Sequence, residues 1–481
     1  MTVLAIDQGT TSTRGIVLDD TGVAAVTEHL EHRQYYPASG WVEHDSEELL
    51  ANICRCVDSC PQATVIGIDN QGESCLAWDA ETKRAICPVI VWQDRRTAGI
   101  IEQLQVEGYE SVTLELAGLP LDPYFSASKL AWIFRHVPEA IRLHKKGRLR
   151  CGTTDAFFLD RLTGHFVTDI TTASRTSLMN IHTGQWDEQL CDVFGVPIEV
   201  LPQIVPTTGD FGVLSWHGRK IPVTASVVDQ QAALYGHGCR RMGEAKITFG
   251  TGAFVLSVTG PRPLQATDKG LLPTVAWQFS GASPVYALDG GVYAAGAAIN
   301  WARSLGLFRD FSDINGFTGQ TAVERGLCFV PALSGLGCPY WDRSAAGLWI
   351  GLSLETTSRD LVQSILEGIA LRAAEVVAAM DNILGASNRL SIDGGLSVNP
   401  YFCRFLADVC DRQVCVQQSS EQTALGTALL ASQACGRTLP SYEPDVCFFE
   451  PQTVRSHLLD RYREAVEKSR GWYVDGCITP S

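Results

Sequence analysis

The chain carries the same punctuation twice. "VLAIDQGTTSTRGIVLDD", which starts at Val3, and "AKITFGTGAFVLSVTG", which starts at Ala245, each read as an apolar strand, a tight Gly-Thr corner and a second strand. The two stretches lie about 240 residues apart and agree in pattern more than in identity. A supersecondary unit repeated at domain-sized spacing predicts two related α/β domains facing each other. The expected division is 1–240 and 241–481. The join "GHGCRRMGE" is short, which predicts a hinge rather than a flexible tether.

Strand and helix signals alternate between and around these units. "VLAID", "RGIVLD" and "VAAVTEH" predict an antiparallel meander with a turn at "DDTG", since short turns suffice for antiparallel neighbours. "ATVIGIDNQGESCLAWDAETKRA" repeats the style, with a polar corner at Asn70 to Glu73. Helices are predicted at "SASKLAWIFRH", "TTDAFFLDRLTG" and "DLVQSILEGIALRAAEVVAAM", the last opened by a capping box of Thr357 and Asp360. "LSID" then reaches Gly394-Gly395, and Asn399-Pro400 opens another helix, with Asn as N-cap and Pro in the first turn. A plausible helix ends the chain after residue 440.

A length of 481 residues suits two full-sized cores. The net charge of −15 argues against binding to nucleic acid or anionic membrane, which reward clustered Lys and Arg. No apolar run approaches the roughly 20 residues that a membrane-spanning helix needs. The N-terminus runs straight into a core strand, so no targeting peptide is expected and the location is read as cytoplasmic. The sixteen cysteines lack paired CxxC spacing or a His partner. Reduced, partly buried thiols are expected, with Leu50, Ile53, Cys54 and Val57 forming one face of a helix.

The first corner has a chemistry of its own. Gly9, Thr10 and Thr11 offer backbone N–H groups and hydroxyls to phosphate oxygens, because glycine lets the backbone approach closely. Asp7 at its mouth suits Mg²⁺, a hard cation that takes oxygen ligands. Arg14 suits a terminal phosphate. A Walker loop is excluded, because GxxxxGK[ST] is absent and a strand rather than a helix follows. A polar hairpin turn, with Asp7 accepting backbone N–H bonds, fits this stretch alone equally well. The second corner, with Thr251 and Gly252, and the Gly394-Gly395 corner then make three Gly-rich corners suited to one nucleotide.

In order along nearly the whole chain, "AIDQGTTSTR", "GWVEHD", "VWQDRRTA", "PYFSASKLAWI", "TTASRTSLMNIHTGQWD", "DQQAALYG", "FGTGAF", "ALDGGVYAAGAAINW", "PALSGLGCPYWD" and "IDGGLSVNPYF" resemble the successive blocks of the FGGY carbohydrate kinases. These belong to the actin-like ATPase superfamily, and the glycerol kinases are the nearest group. Tyr124 to His136 and Gly347 to Glu367 fit the two family signatures. The resemblance implies two actin-like (ribonuclease H-like) α/β domains, with mixed sheets flanked by helices and the active site in the interdomain cleft.

It also implies roles. Asp229 matches the catalytic base, which would accept the proton of the substrate hydroxyl as it attacks the γ-phosphorus of ATP. Without the resemblance, Asp229 reads as a helix-capping acid. Thr10, Thr11 and Arg14 match the first phosphate loop, and Thr251 and Gly252 the second. Gly296 with Asn300, and Gly395 with Asn399, match positions around the adenosine. Asn300 stands where glycerol kinases usually have Gln. Gly296 and Gly395 also read as close-packing glycines. ATP and Mg²⁺ are the implied cofactors, with Asp7 on the metal. Family members often form homodimers or homotetramers.

Glu73, Trp92, Tyr124, Asp229, Gln230 and Phe254 match positions that contact glycerol. Carboxylate, amide and phenol groups bond hydroxyls, while Trp and Phe cover a hydrocarbon backbone. The chain departs at "NQGE", where glycerol kinases typically read "NQRE". Gly72 removes a guanidinium, and each lost hydroxyl pairing costs about 1–3 kcal/mol. Glycerol or a close relative is the expected acceptor, because five other contact positions stand besides the base, and the alternative is a longer four- or five-carbon polyol or ketose filling the vacancy. A third reading, of a different class, is a non-catalytic nucleotide sensor on the same fold.

Overall fold

The computed structural model describes residues 1–19, 24–417, 421–437 and 446–473. Its frame is two mixed sheets of matching topology. The first is built from β1 (Val3–Gln8), β2 (Ser12–Leu18), β3 (Ala24–Glu31), β4 (Val65–Asn70), β5 (Val213–Trp216) and β6 (Arg219–Val228), in the order β5-β6-β4-β1-β2-β3. The second is built from β7 (Ala245–Phe249), β8 (Ala253–Gly260), β9 (Leu272–Trp277), β10 (Val285–Val292), β11 (Arg389–Gly394), β12 (Gln413–Gln417) and β13 (Val446–Phe449), in the order β9-β10-β8-β7-β11-β12-β13.

β1 pairs antiparallel with β2 and parallel with β4, and β7 pairs antiparallel with β8 and parallel with β11. Each Gly-Thr corner therefore joins two neighbouring interior strands of its sheet. The predicted meander is β1 to β3, although residues 20–23 of its "DDTG" turn lie outside the described residues. Buried strands with neighbours on both sides read as continuous apolar runs. β4, "VIGIDN", is buried at every position and still ends in two polar residues.

Six helices position the site: α1 (Ser46–Asp58), α2 (Asp229–Gly236), α3 (Gly296–Ser304), α4 (Ser358–Leu384), α5 (Pro400–Cys410) and α6 (Gln422–Ala434). α4 starts with the predicted capping box of Thr357 and Asp360. α5 has Asn399 as N-cap and Pro400 in its first turn. In α1 the buried face is Leu49, Leu50, Ile53, Cys56 and Val57, whereas Cys54 is only half-buried. That corrects the expected face: a helix turning every 3.6 residues carries Leu49, Ile53 and Cys56 onto the sheet and rotates Cys54 off it. All the described cysteines are free thiols. A helix also ends the described chain, Leu458–Ser469.

The sheets are joined through two helices packed between them. α2 follows β6, and α6 follows β12, so each occupies the same place in its own half. One apolar core contains Val3, Val65 and Val227 of the first sheet, Leu256 and Val258 of the second, and Ala232, Leu234, Ala424 and Ala428 of the two helices. Glycine permits the helices to cross at backbone contact. A Cβ on Gly426 would lie 1.8 Å from the Ala232 carbonyl oxygen, and one on Gly236 would lie 2.0 Å from that of Gln422. Among the described residues, no helix is long and apolar enough to cross a membrane.

Candidate active site

Asp7 sits on β1 directly opposite Asp69 on β4, because the two strands run parallel in register. Asp69 is fully buried, and its Oδ2 accepts from Thr427 Oγ1 of α6 at 2.7 Å. β6, beside β4, ends at Val228, and α2 begins with Asp229. Three carboxyl groups thus converge where β1, β4 and β6 end. Burial, followed by the charges of Asp7 and Glu73, pushes the Asp229 carboxyl up to about 7. Burial likewise raises Asp7, although Asp69 and Arg14 oppose it. Burial and the charge of Asp7 hold Asp69 well above the usual carboxylate range.

The two corners are anchored through their carbonyls. Thr10 O accepts from His32 Nε2 at 2.8 Å and from Gln34 Nε2 at 3.1 Å. Thr251 O accepts from the N–H groups of Ala295 and Ala297, and Gly250 O from that of Gly296. These bonds turn the carbonyls inward, while Thr11, Gly250 and Thr251 remain exposed at the edge. Backbone N–H groups on such an edge suit anionic oxygens. Arg14 pairs with Glu421 at 3.1 Å.

The adenosine-matching positions divide in character. Gly296 packs closely, since a Cβ there would lie 2.5 Å from the Gly250 carbonyl oxygen. Gly395 meets nothing within 4 Å and is exposed, as is Asn300. The Asn399 amide is engaged at both ends: Oδ1 accepts from Phe402 N and Nδ2 donates to Ile314 O, each at 2.9 Å.

Of the acceptor-matching residues, Gln230 adjoins Asp229 in the chain, and Glu73 and Tyr124 lie within reach of its charge. Trp92 Nε1 donates to Thr10 Oγ1 at 3.0 Å, and the Trp92 and Tyr124 rings meet edge to face at 5.6 Å. Glu73, in a left-handed conformation at φ 60°, is buried and accepts from Arg175 Nε at 2.6 Å. Its carboxyl is raised because burial outweighs that guanidinium. The Gln230 amide oxygen accepts from Lys246 Nζ at 2.5 Å, which leaves its Nε2 to donate elsewhere. Phe254 lies half-buried on β8.

Three buried charges were not singled out from the sequence. Asp69 repeats the strand-end acid of "VLAID" in "VIGID", a detectable signal. Lys246 stands inside an apolar strand, also a signal, because an unpaired ammonium there is costly. Arg175 has no local cue. Its partners, Glu73 and Asp289, are distant in sequence.

The N-terminal domain of the FGGY family of carbohydrate kinases matches residues 2–236, and the C-terminal domain matches residues 245–435. This chain belongs to the FGGY family of carbohydrate kinases. It is accordingly a phosphotransferase with an alcohol acceptor, an ATP-dependent kinase of carbohydrates or polyols. A glycerol kinase from Alkalilimnicola ehrlichii is 40% identical, covering 98% of this chain and 99% of its own. The crystal structure of Plasmodium falciparum glycerol kinase with ADP superposes with a TM-score of 0.90 at 30% identity, covering 97% of this chain and 98% of the other. A gluconate kinase from Lactobacillus acidophilus shares the fold, with a TM-score of 0.85 at 20% identity over 97% and 96% of the two chains.

Proposed function

We propose that this FGGY kinase transfers the γ-phosphoryl group of ATP to a primary hydroxyl of glycerol or a closely related small polyol. The observation that carries the reading is Asp229, a carboxyl at a helix start whose affinity for protons is raised to about 7 beside the acceptor-matching Glu73. A base tuned near neutrality both ionises and accepts a proton readily at working pH. The names of relatives near 40% identity favour glycerol as acceptor.

In this reading Asp229 orients the acceptor hydroxyl and takes its proton. Gln230, its amide oxygen held by Lys246, donates through Nε2 to a second hydroxyl. Glu73 accepts from a third, and Trp92, Tyr124 and Phe254 cover the carbon backbone. The Thr10-Thr11 and Thr251-Gly252 corners grip the phosphates from opposite lobes, taken as 1–240 and 241–481. Closure of the lobes excludes water, the competing acceptor.

Among the described residues no three metal-ligating side chains form a ready cluster. Mg²⁺ is usually held by one or two carboxylates plus substrate phosphates. Asp7 is the first candidate ligand, and the carboxyl oxygens gathered at Asp7 and Asp69 fit a hard cation. When bound, Mg²⁺ would neutralise charge on the phosphate chain.

The test is a panel of polyols and ketoses at equal concentration, with ADP release as readout. Glycerol or a three-carbon relative is expected to give the highest kcat/KM. A ketopentose ranking first would overturn the glycerol reading, and no turnover on any acceptor would favour a nucleotide sensor.

A further inference from the structure

Val228 is the side chain that stands beside position 72. A Cβ placed on Gly72 would stand 3.1 Å from Val228 Cγ1 and 3.8 Å from Cγ2, and no third atom beyond its chain neighbours lies within 4 Å. Both residues are buried. Gly72 immediately precedes Glu73, and Val228 immediately precedes Asp229, so the contact lies between the backbone roots of the acceptor carboxylate and the base.

Val228 is held firmly in that place. It pairs with Asn70 where β6 and β4 end, and its N–H donates to Thr171 Oγ1 at 3.0 Å. A β-branched side chain has few χ1 choices, so the isopropyl group does not readily swing aside. The side chain missing at position 72 therefore has the Val228 isopropyl group as its one close neighbour beyond the adjoining residues. An arginine introduced at 72 would press its Cβ on the isopropyl group, which would have to yield by a few tenths of an ångström.

We infer that Val228 determines specificity by setting the length of the acceptor, closing the pocket to polyols longer than three carbons. This rests on the acceptor site proposed above and goes beyond it by naming the residue that limits chain length. A methylene-sized misfit in a packed pocket discriminates by about 10–200-fold in kcat/KM. The Val228 side chain is hydrocarbon, so the restriction is one of volume and not of hydrogen bonding.

The experiment measures kcat/KM of the full-length kinase for glycerol and for erythritol, a four-carbon polyol, in wild type, V228A, V228C and V228T. Wild type is expected to prefer glycerol by about tenfold or more. V228A should reduce that preference by about tenfold, mainly by raising kcat/KM for erythritol. V228T keeps the volume and should leave the ratio within about twofold, well below one methylene's discrimination. If V228A does not fold, V228C, which removes one branch, must move the ratio in the same direction. An unchanged ratio in the truncated variants, or an equal change in V228T, overturns the role of Val228 alone. A wild type that prefers erythritol overturns the three-carbon reading itself, and that result is visible before any variant is made.

Discussion

Arg175 ties Glu73 to Asp289, through Nε at 2.6 Å on one side and Nη2 at 2.9 Å on the other. Glu73 belongs to the first half of the chain and Asp289 to β10 of the second sheet, so one buried guanidinium couples an acceptor-matching carboxylate to the opposite lobe. Its third nitrogen, Nη1, is buried without a partner. Replacing Arg175 by alanine strands two buried carboxylates, which typically destabilises by about 3–5 kcal/mol. R175K keeps the charge but not the planar fork. It is expected to raise the acceptor KM several-fold while the ATP KM stays within about twofold, because the fork and not the charge orients Glu73. Steady-state kinetics with each substrate varied in turn would check this, and equal effects on both KM values would contradict it.

Asp229 predicts two pH effects of opposite sign. As the proposed base, Asp229 must be ionised to accept a proton, so kcat/KM should fall about tenfold per pH unit below about 7. Stability runs the other way. A carboxyl whose folded-state value is raised to about 7 from 3.8 opposes folding increasingly as pH rises between those values. D229N should therefore melt above wild type at pH 8, with the difference vanishing below pH 4. The same variant should lose phosphoryl transfer by about 10²–10⁴-fold while binding nucleotide nearly as before. Retained transfer in D229N would remove Asp229 from the role of base.

Gly426 and Gly395 should respond differently to the same change. At Gly426 an added methyl meets the Ala232 carbonyl oxygen at 1.8 Å, so G426A forces the two helices apart. A loss of at least ~2 kcal/mol is expected. At Gly395 nothing lies within 4 Å, and G395A should leave stability within about 0.5 kcal/mol while weakening nucleotide binding. Thermal melting and nucleotide titration of the two variants separate a packing glycine from a ligand-facing one.

Closure predicts a change in size. The helices cross at Gly236 and Gly426, directly beside the join between the two halves. Rotation about that crossing should compact the molecule when ATP and acceptor bind together. Solution scattering checks this, and an unchanged radius of gyration would argue against a hinge there.

Much of the frame was written locally in the sequence. Two strand–Gly-Thr–strand units announce two matching sheets, because a tight corner between apolar strands specifies a hairpin without distant help. Thr357 with Asp360, and Asn399 with Pro400, mark helix starts through bonds made within one turn. The acids Asp7 and Asp229 likewise stand at strand or helix ends, where backbone direction alone aims them at a common edge.

Contacts between distant segments were decided only by the tertiary structure. No local pattern says that Arg175 bridges Glu73 and Asp289, that Thr427 reaches Asp69, or that Val228 stands beside the place where residue 72 lacks a side chain. The same holds for α6, which lies late in the chain yet packs on the first sheet. Hydrophobic periodicity tells a helix which face to bury but not against what, since burial of apolar surface is non-directional. The choice of partner, and with it the shape of the acceptor pocket, was left to the packing of the whole chain.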